Sequence, residues 1–374
     1  MRGFVLLALA SLLLPLSPLG ASEAVREVRV VMGTTAEVRV AGLDDPAPAL
    51  DRAFAALALV DDQMSLWRES PLTRLNAAGS ARVPAELFTV VRHALDVAHA
   101  SAGAFDPTVE PLVRAAGGFG GPARDVSGAE WRRLRARIGV RHVHLDDAGP
   151  AIRLDPGTTL DLGGIAKGYA ADLALAALRA AGARSGLVDL GQSSIGVFGE
   201  PLSLDVRDPE EGDGTPWASF EAEDAAVSTS GGDQRAGHIF DPRTGLPAAR
   251  VLSATVVAAT GIEADALSTA VYVLGAEGGL RLLARRGAHG LVLRREKGRA
   301  VLRATPGFGV RFRLRTRADV LVEMDHMSNS RAPHPIPLPA SGERGAPFGG
   351  RQRGASRKRG EGSALRRQAT GSVT

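Results

Sequence analysis

The sequence predicts an α+β fold in which mainly antiparallel sheets pack against helices, and three observations predict it. Strand-like stretches are short and end at tight-turn residues. Helical stretches are grouped instead of alternating with single strands. The regular strand–helix–strand rhythm that a doubly wound parallel sheet requires is missing.

Residues 1–24 read as an export signal. Arg2 supplies a thin positive start, Phe4 to Leu16 an apolar core, and Leu19-Gly-Ala21 or Ser22-Glu-Ala24 a small-residue cleavage site. The run is short and proline-interrupted for a membrane span, and no other segment approaches spanning length. An extracytoplasmic mature chain is the expectation.

Val28 to Val40 alternates apolar and polar residues around Met32-Gly33-Thr34, which predicts two strands joined at a glycine. From Pro48 to Met64, Leu50, Phe54, Leu57, Val60 and Met64 recur at helical spacing. The periodicity then fails from Asp62 to Asn76, which predicts a loop. Its Trp67 is either a cap over the core, the reading favoured from the loop alone, or a stacking platform for a flat ligand. Pro84 opens a helix that runs to Gly103, and Ala104-Phe-Asp106-Pro-Thr-Val109 is a turn feeding a short helix.

Glycine-rich chain from Gly117 to Gly128 leads to a basic helix at 130–138 and a hairpin of 140–145 with 151–154. Thr159 to Leu162 reads as a short apolar strand that breaks at Gly163-Gly164 and continues as a helix to Ala181. A glycine turn into a helix aims unpaired backbone N–H groups at whatever lies above it, and phosphate suits that position. Such glycines are also ordinary punctuation. Lys167 sharpens the question, because the chain has three lysines against forty-two arginines, and a cation near a helix N-terminus opposes the dipole unless an anion is close. Strands are expected at 186–191, 195–198, 202–206, 217–221 and 225–228.

Two later clusters carry chemistry. The first is Ser228-Thr-Ser-Gly231 followed by His238-Ile-Phe-Asp-Pro-Arg-Thr-Gly245, which contains a turn, with His238 placed either to act as a base or to hydrogen-bond that turn. Asp265, Ser268 and Thr269 share one helical face, and one carboxylate with neutral oxygens suits a hard cation such as Mg²⁺. Helix capping explains only Asp265.

Composition limits the alternatives. With no cysteine there are no disulfides, thiolate metal sites, cysteine nucleophile or N-terminal lipid-bearing cysteine. From Ser328 the chain is rich in Pro, Gly, Ser and Arg, with nine Lys and Arg against two Asp and Glu. That tail carries +7 and the remainder −3, so the basic isoelectric point reflects a disordered extension and gives no reason to expect a nucleic-acid partner.

Met32-Gly-Thr, Met64-Ser…Arg74-Leu-Asn76, Gly103-Ala-Phe-Asp-Pro-Thr-Val, Asp161-Leu-Gly-Gly-Ile-Ala-Lys-Gly-Tyr, Ser228-Thr-Ser-Gly, His238-Ile-Phe-Asp-Pro-Arg-Thr-Gly and Ala264-Asp-Ala-Leu-Ser-Thr, taken in order, resemble the ApbE family. The resemblance covers about 28–315 and not the tail. It implies a T-fold-related α+β domain over 25–320 that transfers FMN from FAD, with Mg²⁺, to a threonine hydroxyl of an exported flavoprotein acceptor, such as the FMN-binding domain of a membrane redox complex. AMP is released. By the same resemblance Met32, Trp67, Ala104, Phe105, Asp106, Asp161, Lys167 and Phe240 line the FAD site. Gly164 (through its carbonyl), Asp265, Ser268 and Thr269 hold the metal, and His238 is the general base. The absent lipid-bearing cysteine implies a soluble periplasmic form. Two departures stand out: Gln192 where the family usually has glycine, and a six-residue link, 232–237, before His238. A pyrophosphatase releasing FMN and AMP, or an FAD carrier, are the alternatives.

Overall fold

The computed structural model describes residues 24–324 apart from 120, 122–123, 125, 147–148, 208–215, 232–238 and 249–250. His238, the tail from Ser328 and all of the expected export signal but Ala24 therefore lie outside the described residues.

The chain opens with β1 (Val25–Val31) and β2 (Thr34–Ala41), paired antiparallel. Their two-residue turn, Met32-Gly33, has φ of 55° and 69°. Positive φ at both positions matches the twist of the flanking strands. Helix α1 (Ala47–Met64) follows, burying Leu50, Phe54, Leu57, Val60 and Met64 as their spacing predicts.

The loop expected from Asp62 to Asn76 is half wrong. Residues Pro71–Ala78 form helix α2, started by a capping box in which Ser70 Oγ accepts from Thr73 N and Thr73 Oγ1 from Ser70 N, with Pro71 in the first turn. Next come β3 (Ser80–Arg82), α3 (Ala85–Ala100), α4 (Glu110–Ala115), α5 (Gly128–Arg135), β4 (Val143–Leu145) and β5 (Ala151–Leu154). Strands β3, β5 and β4 form a small antiparallel sheet, so the expected hairpin gains a third strand.

The strand expected at 159–162 is extended chain outside any ladder. The Asn76 side chain takes the ladder's place there, donating to Leu160 O at 2.9 Å and accepting from Leu160 N at 2.8 Å. Asp161 N donates to Pro107 O at 2.7 Å. Both Leu160 backbone groups and the Asp161 N–H are thus paired without a neighbouring strand.

Helix α6 (Ala166–Ala180) precedes β6 (Ser185–Leu190), β7 (Ser194–Phe198), β8 (Leu202–Val206), β9 (Ala218–Ala222) and β10 (Ala225–Gly231). The remainder is β11 (Phe240–Asp241), β12 (Leu246–Pro247), β13 (Ser253–Ala258), α7 (Gly261–Arg286), β14 (His289–Glu296), β15 (Arg299–Ala304), α8 (Phe308–Arg311), β16 (Arg315–Thr316) and β17 (Leu321–Met324). Helix α7 continues beyond Gly275, whose φ of 76° and ψ of −178° break the helical run.

Nine strands form the main sheet in the order β1-β2-β6-β7-β10-β13-β14-β15-β17, all antiparallel except the pairing of β15 with β17. One face packs Ala36, Val38, Val188, Ala254 and Val256 against α1, α6 and α7. On the other, Val227, Val257, Leu291 and Leu293 meet Trp217, Phe220, Phe308 and Phe312 around the three-stranded sheet β16-β9-β8. Strand β13, covered on both sides, is buried at all six positions, which is why it reads as one apolar run broken only by Ser253 and Thr255.

Candidate functional site

Helices α6 and α7 cross with their backbones almost touching. A Cβ on Gly168 would lie 2.0 Å from Gly261 O, and one on Gly261 2.3 Å from Gly168 O. Asp172 fixes the same crossing from α6, accepting from Gly261 N at 2.6 Å and Ile262 N at 2.9 Å, so it caps α7 from a neighbouring helix. The crossing places the first turn of α6 beside the face of α7 that carries Asp265 and Thr269.

The anion at the α6 N-terminus is, in part, protein. Asp265 Oδ2 accepts from Gly168 N at 2.9 Å, and its Oδ1 from Ser228 Oγ at 3.3 Å. Burial pushes the Asp265 carboxyl up from its ordinary value; the charge of Lys167, the Gly168 N–H and the Ser228 hydroxyl oppose that shift. Lys167 also donates to Ser193 Oγ. Its unfavourable place on the helix dipole is thereby offset by Asp265.

Hydroxyls surround this pair. Ser230 Oγ lies 2.9 Å from Ser268 Oγ and 3.4 Å from Thr269 Oγ1, and Ser268 Oγ donates to Asp265 O at 2.9 Å. A Cβ on Gly164 would stand 3.1 Å from Thr269 Oγ1 and 3.3 Å from Phe105 Cε2. The glycine therefore leaves a small gap between the Thr269 hydroxyl of α7 and the Phe105 ring. One carboxylate with neutral oxygens fits Mg²⁺, which keeps waters and takes phosphate oxygens. Among the described residues there is no group of three or more His, Cys, Asp or Glu suited to a metal, so any cation here depends on such neutral donors.

These groups open into a cleft of about 2000 Å³ lined by Met32, Trp67, Ala104, Phe105, Asp106, Asp161, Gly164, Lys167, Phe240, Asp265 and Thr269. The structure thus brings together eleven residues singled out in the sequence. Ser268, by contrast, is fully buried behind the cleft wall. Trp67 is 64% exposed, which overturns the favoured core-cap reading; its ring meets Phe119 edge-on, with centroids 5.8 Å apart. Asp106 does start its turn, accepting from Thr108 N at 2.9 Å and Thr108 Oγ1 at 2.6 Å. It also borders the cleft, and burial raises its carboxyl. Asp161 accepts from Gly163 N at 2.7 Å and is likewise raised by burial.

Ser193 and Phe119 were not legible as site residues, and Ser230 was legible only as part of the Ser228-Thr-Ser-Gly motif, with no role of its own. They come from a turn, a strand and a loop with no common sequence spacing. Gln192 sits beside Gly191 in the β6–β7 turn, with φ of 60° and 63° respectively, and donates its N–H to Asp189 Oδ1 at 2.7 Å. Among the described residues, no helix is long and apolar enough to cross a membrane.

A family model described as the ApbE family matches residues 32–292. An FAD:protein FMN transferase of Vibrio cholerae is 32% identical over 299 residues, spanning 74% of this chain and 89% of that protein. One from Treponema pallidum is 34% identical over 302 residues, spanning 71% and 83%. Among solved structures, the apo form of the flavinyl transferase ApbE of Pseudomonas stutzeri superposes with a TM-score of 0.71 at 28% identity, covering 78% of this chain and 98% of that one.

Proposed function

Because this chain belongs to the ApbE family, we propose that it is a Mg²⁺-dependent FAD:protein FMN transferase acting on a threonine hydroxyl of an exported acceptor. The acceptor oxygen forms a new bond to the FMN phosphorus, the pyrophosphate P–O bond breaks, and AMP leaves. The observation that carries the reading is the convergence of Lys167, Asp265 and Thr269 on the cleft that also holds Trp67 and Phe105.

Attack on a pyrophosphate needs neutralisation of phosphoryl charge more than covalent help. Lys167 contributes a cation, while the first-turn amides of Ala166 and Gly168 are already taken by Leu162 O and Asp265 Oδ2. Asp265, Thr269 and the Gly164 carbonyl, with Ser268 behind them, are the residues to hold Mg²⁺, whose charge would draw electrons from the phosphates. Trp67, largely exposed, offers a face to a flat ring, and the buried Phe105 borders the cleft beside Gly164. Asp106, Asp161, Met32, Ala104 and Phe240 complete the flavin site. His238, two residues before Phe240, takes the proton of the attacking hydroxyl, a task suited to imidazole near neutral pH. Residues 1–24 direct export to the periplasm.

The test is incubation with FAD, Mg²⁺ and an exported flavoprotein acceptor, followed by intact mass. An acceptor heavier by FMN in phosphodiester linkage, only with Mg²⁺ present, is the expected result. Free FMN and AMP with an unlabelled acceptor would make the chain a pyrophosphatase, and bound FAD left intact would make it a carrier.

A further inference from the structure

The cleft is larger than a small ligand needs: about 2000 Å³ against roughly 300–1,000 Å³ for a typical small-molecule site. Its extra arm passes the β6–β7 turn to a floor containing Leu187, Ile195, Thr229 and Thr255, and is bordered by β8. All six consecutive residues from Leu202 to Arg207 line it. Side chains of a strand alternate between faces, so an unbroken run of lining residues means that the cleft follows the strand's edge.

That edge is open. Strand β8 ends the order β16-β9-β8, paired only with β9 among the described residues. Glu221 N donates away from β8, to Phe312 O at 2.8 Å, and Ser219 pairs with Arg315 of β16. In an antiparallel ladder, residues opposite such positions turn their own N–H and C=O outward. Ser203 faces Glu221 and Asp205 faces Ser219, so both present a donor and an acceptor to the cleft.

We propose that β8 is the docking strand for the acceptor protein: an extended acceptor segment pairs with the Ser203–Asp205 edge and carries its hydroxyl residue along the cleft toward Lys167. This rests on the transferase reading above. An added strand gains affinity from main-chain hydrogen bonds and selectivity from alternate side chains. The apolar floor of Leu187 and Ile195 receives one face, and the cleft leads without interruption to the phosphate-binding residues. An extended chain satisfies both outward-facing residues at once, as a compact ligand does not.

The probe is a blocked peptide of alternating valine and threonine, added to the full chain with FAD. Hydrogen exchange at Ser203 and Asp205 should be fast in the free protein and slow clearly on peptide binding. Asp205→Pro removes one outward N–H at an edge position that admits proline, and should weaken peptide binding about tenfold. Asp205→Ala keeps that N–H and should weaken it less. Flavin fluorescence of each variant reports an intact fold; if Asp205→Pro has lost it, the exchange data decide. Equal effects of proline and alanine, unchanged exchange in β8, no peptide binding, or slow exchange in the free protein because its own backbone covers the edge would each overturn the docking proposal. FMN transfer to a whole acceptor protein in those cases would leave the transferase reading standing, whereas failure of the chain to bind FAD would sink both.

Discussion

Lys167 occupies a position where, alone, its charge would work against the helix it stands on. The charge of nearby Asp265 offsets that position, and Ser193 Oγ accepts a hydrogen bond from the Lys167 ammonium. Lys167→Ala is expected to lower turnover about 10²–10³-fold, the cost of removing one preorganised charge-stabilising group. Flavin affinity, followed by fluorescence, should fall far less, since ring contacts remain. Gln192 has the opposite character. It holds φ of 60°, a conformation that costs a side-chain-bearing residue about 1 kcal/mol, in a turn where glycine suffers no such penalty. Gln192→Gly should therefore leave stability equal or slightly higher in thermal melts, by up to about 0.5 kcal/mol after glycine's greater unfolded-state entropy is deducted. A marked loss would show that the Gln192 side chain itself contributes.

Elements here are tied by side chains that stand in for backbone. Asp172 of α6 caps α7, and Asn76 of α2 substitutes for a strand beside Leu160. Asp172→Ala leaves two helix-end N–H groups without their acceptor and should destabilise by about 1–3 kcal/mol in denaturant unfolding. The same substitutions of side chain for backbone explain what the sequence concealed. Periodicity announces α1, but α2 has eight residues and a Ser–Thr capping box in place of a Ser–Glu one, so it looked like loop. Leu160 has strand-like neighbours in sequence, yet its ladder partner is a side chain 84 positions away, which no local pattern reports. The Met32-Gly33 turn was legible because the positive φ at Gly33 favours glycine, and the break before α6 because Gly164 leaves room beside Thr269 and Phe105. After β5, Asp155 accepts from His142 Nδ1 at 3.0 Å, His144 Nε2 at 2.8 Å and Arg153 Nη1 at 3.1 Å. Hydrogen bonds from His142 and then His144 hold its carboxyl down to about 2, below its ordinary 3.8. A depressed carboxylate stabilises the fold above its unfolded value and loses that contribution as pH falls from 3.8 toward 2. Asp155→Asn should thus show a shallower acid limb than the parent in stability measured across that window.

At the scale of the whole molecule, the site exists because two layers meet at one end of the main sheet. Helices α6 and α7 bring the charged pair and the hydroxyls to one side, and the small sheet β16-β9-β8 walls the other. Motifs scattered from Met32 to Thr269 were readable singly, since each needs a particular residue type. Their convergence was not, because it depends on strand order, and β2 reaches β6 only across the intervening helices. The same architecture bears on which C-terminal residues the described fold needs. Strand β17 closes the far edge by pairing Leu321–Met324 in parallel with Val301–Ala304, and Val320 and Met324 join the second core. A chain ending at Met327 keeps every one of these contacts and should match the full chain in melting temperature and FMN transfer. A chain ending at Asp319 uncovers one side of β15 and removes Val320 from that core, so it should melt lower, by about 2 °C or less for each kcal/mol lost in a domain of this size. Calorimetry of both truncations checks this: equal melting of the two would place the structural boundary before Val320, and a loss already in the longer one would place it beyond Met327.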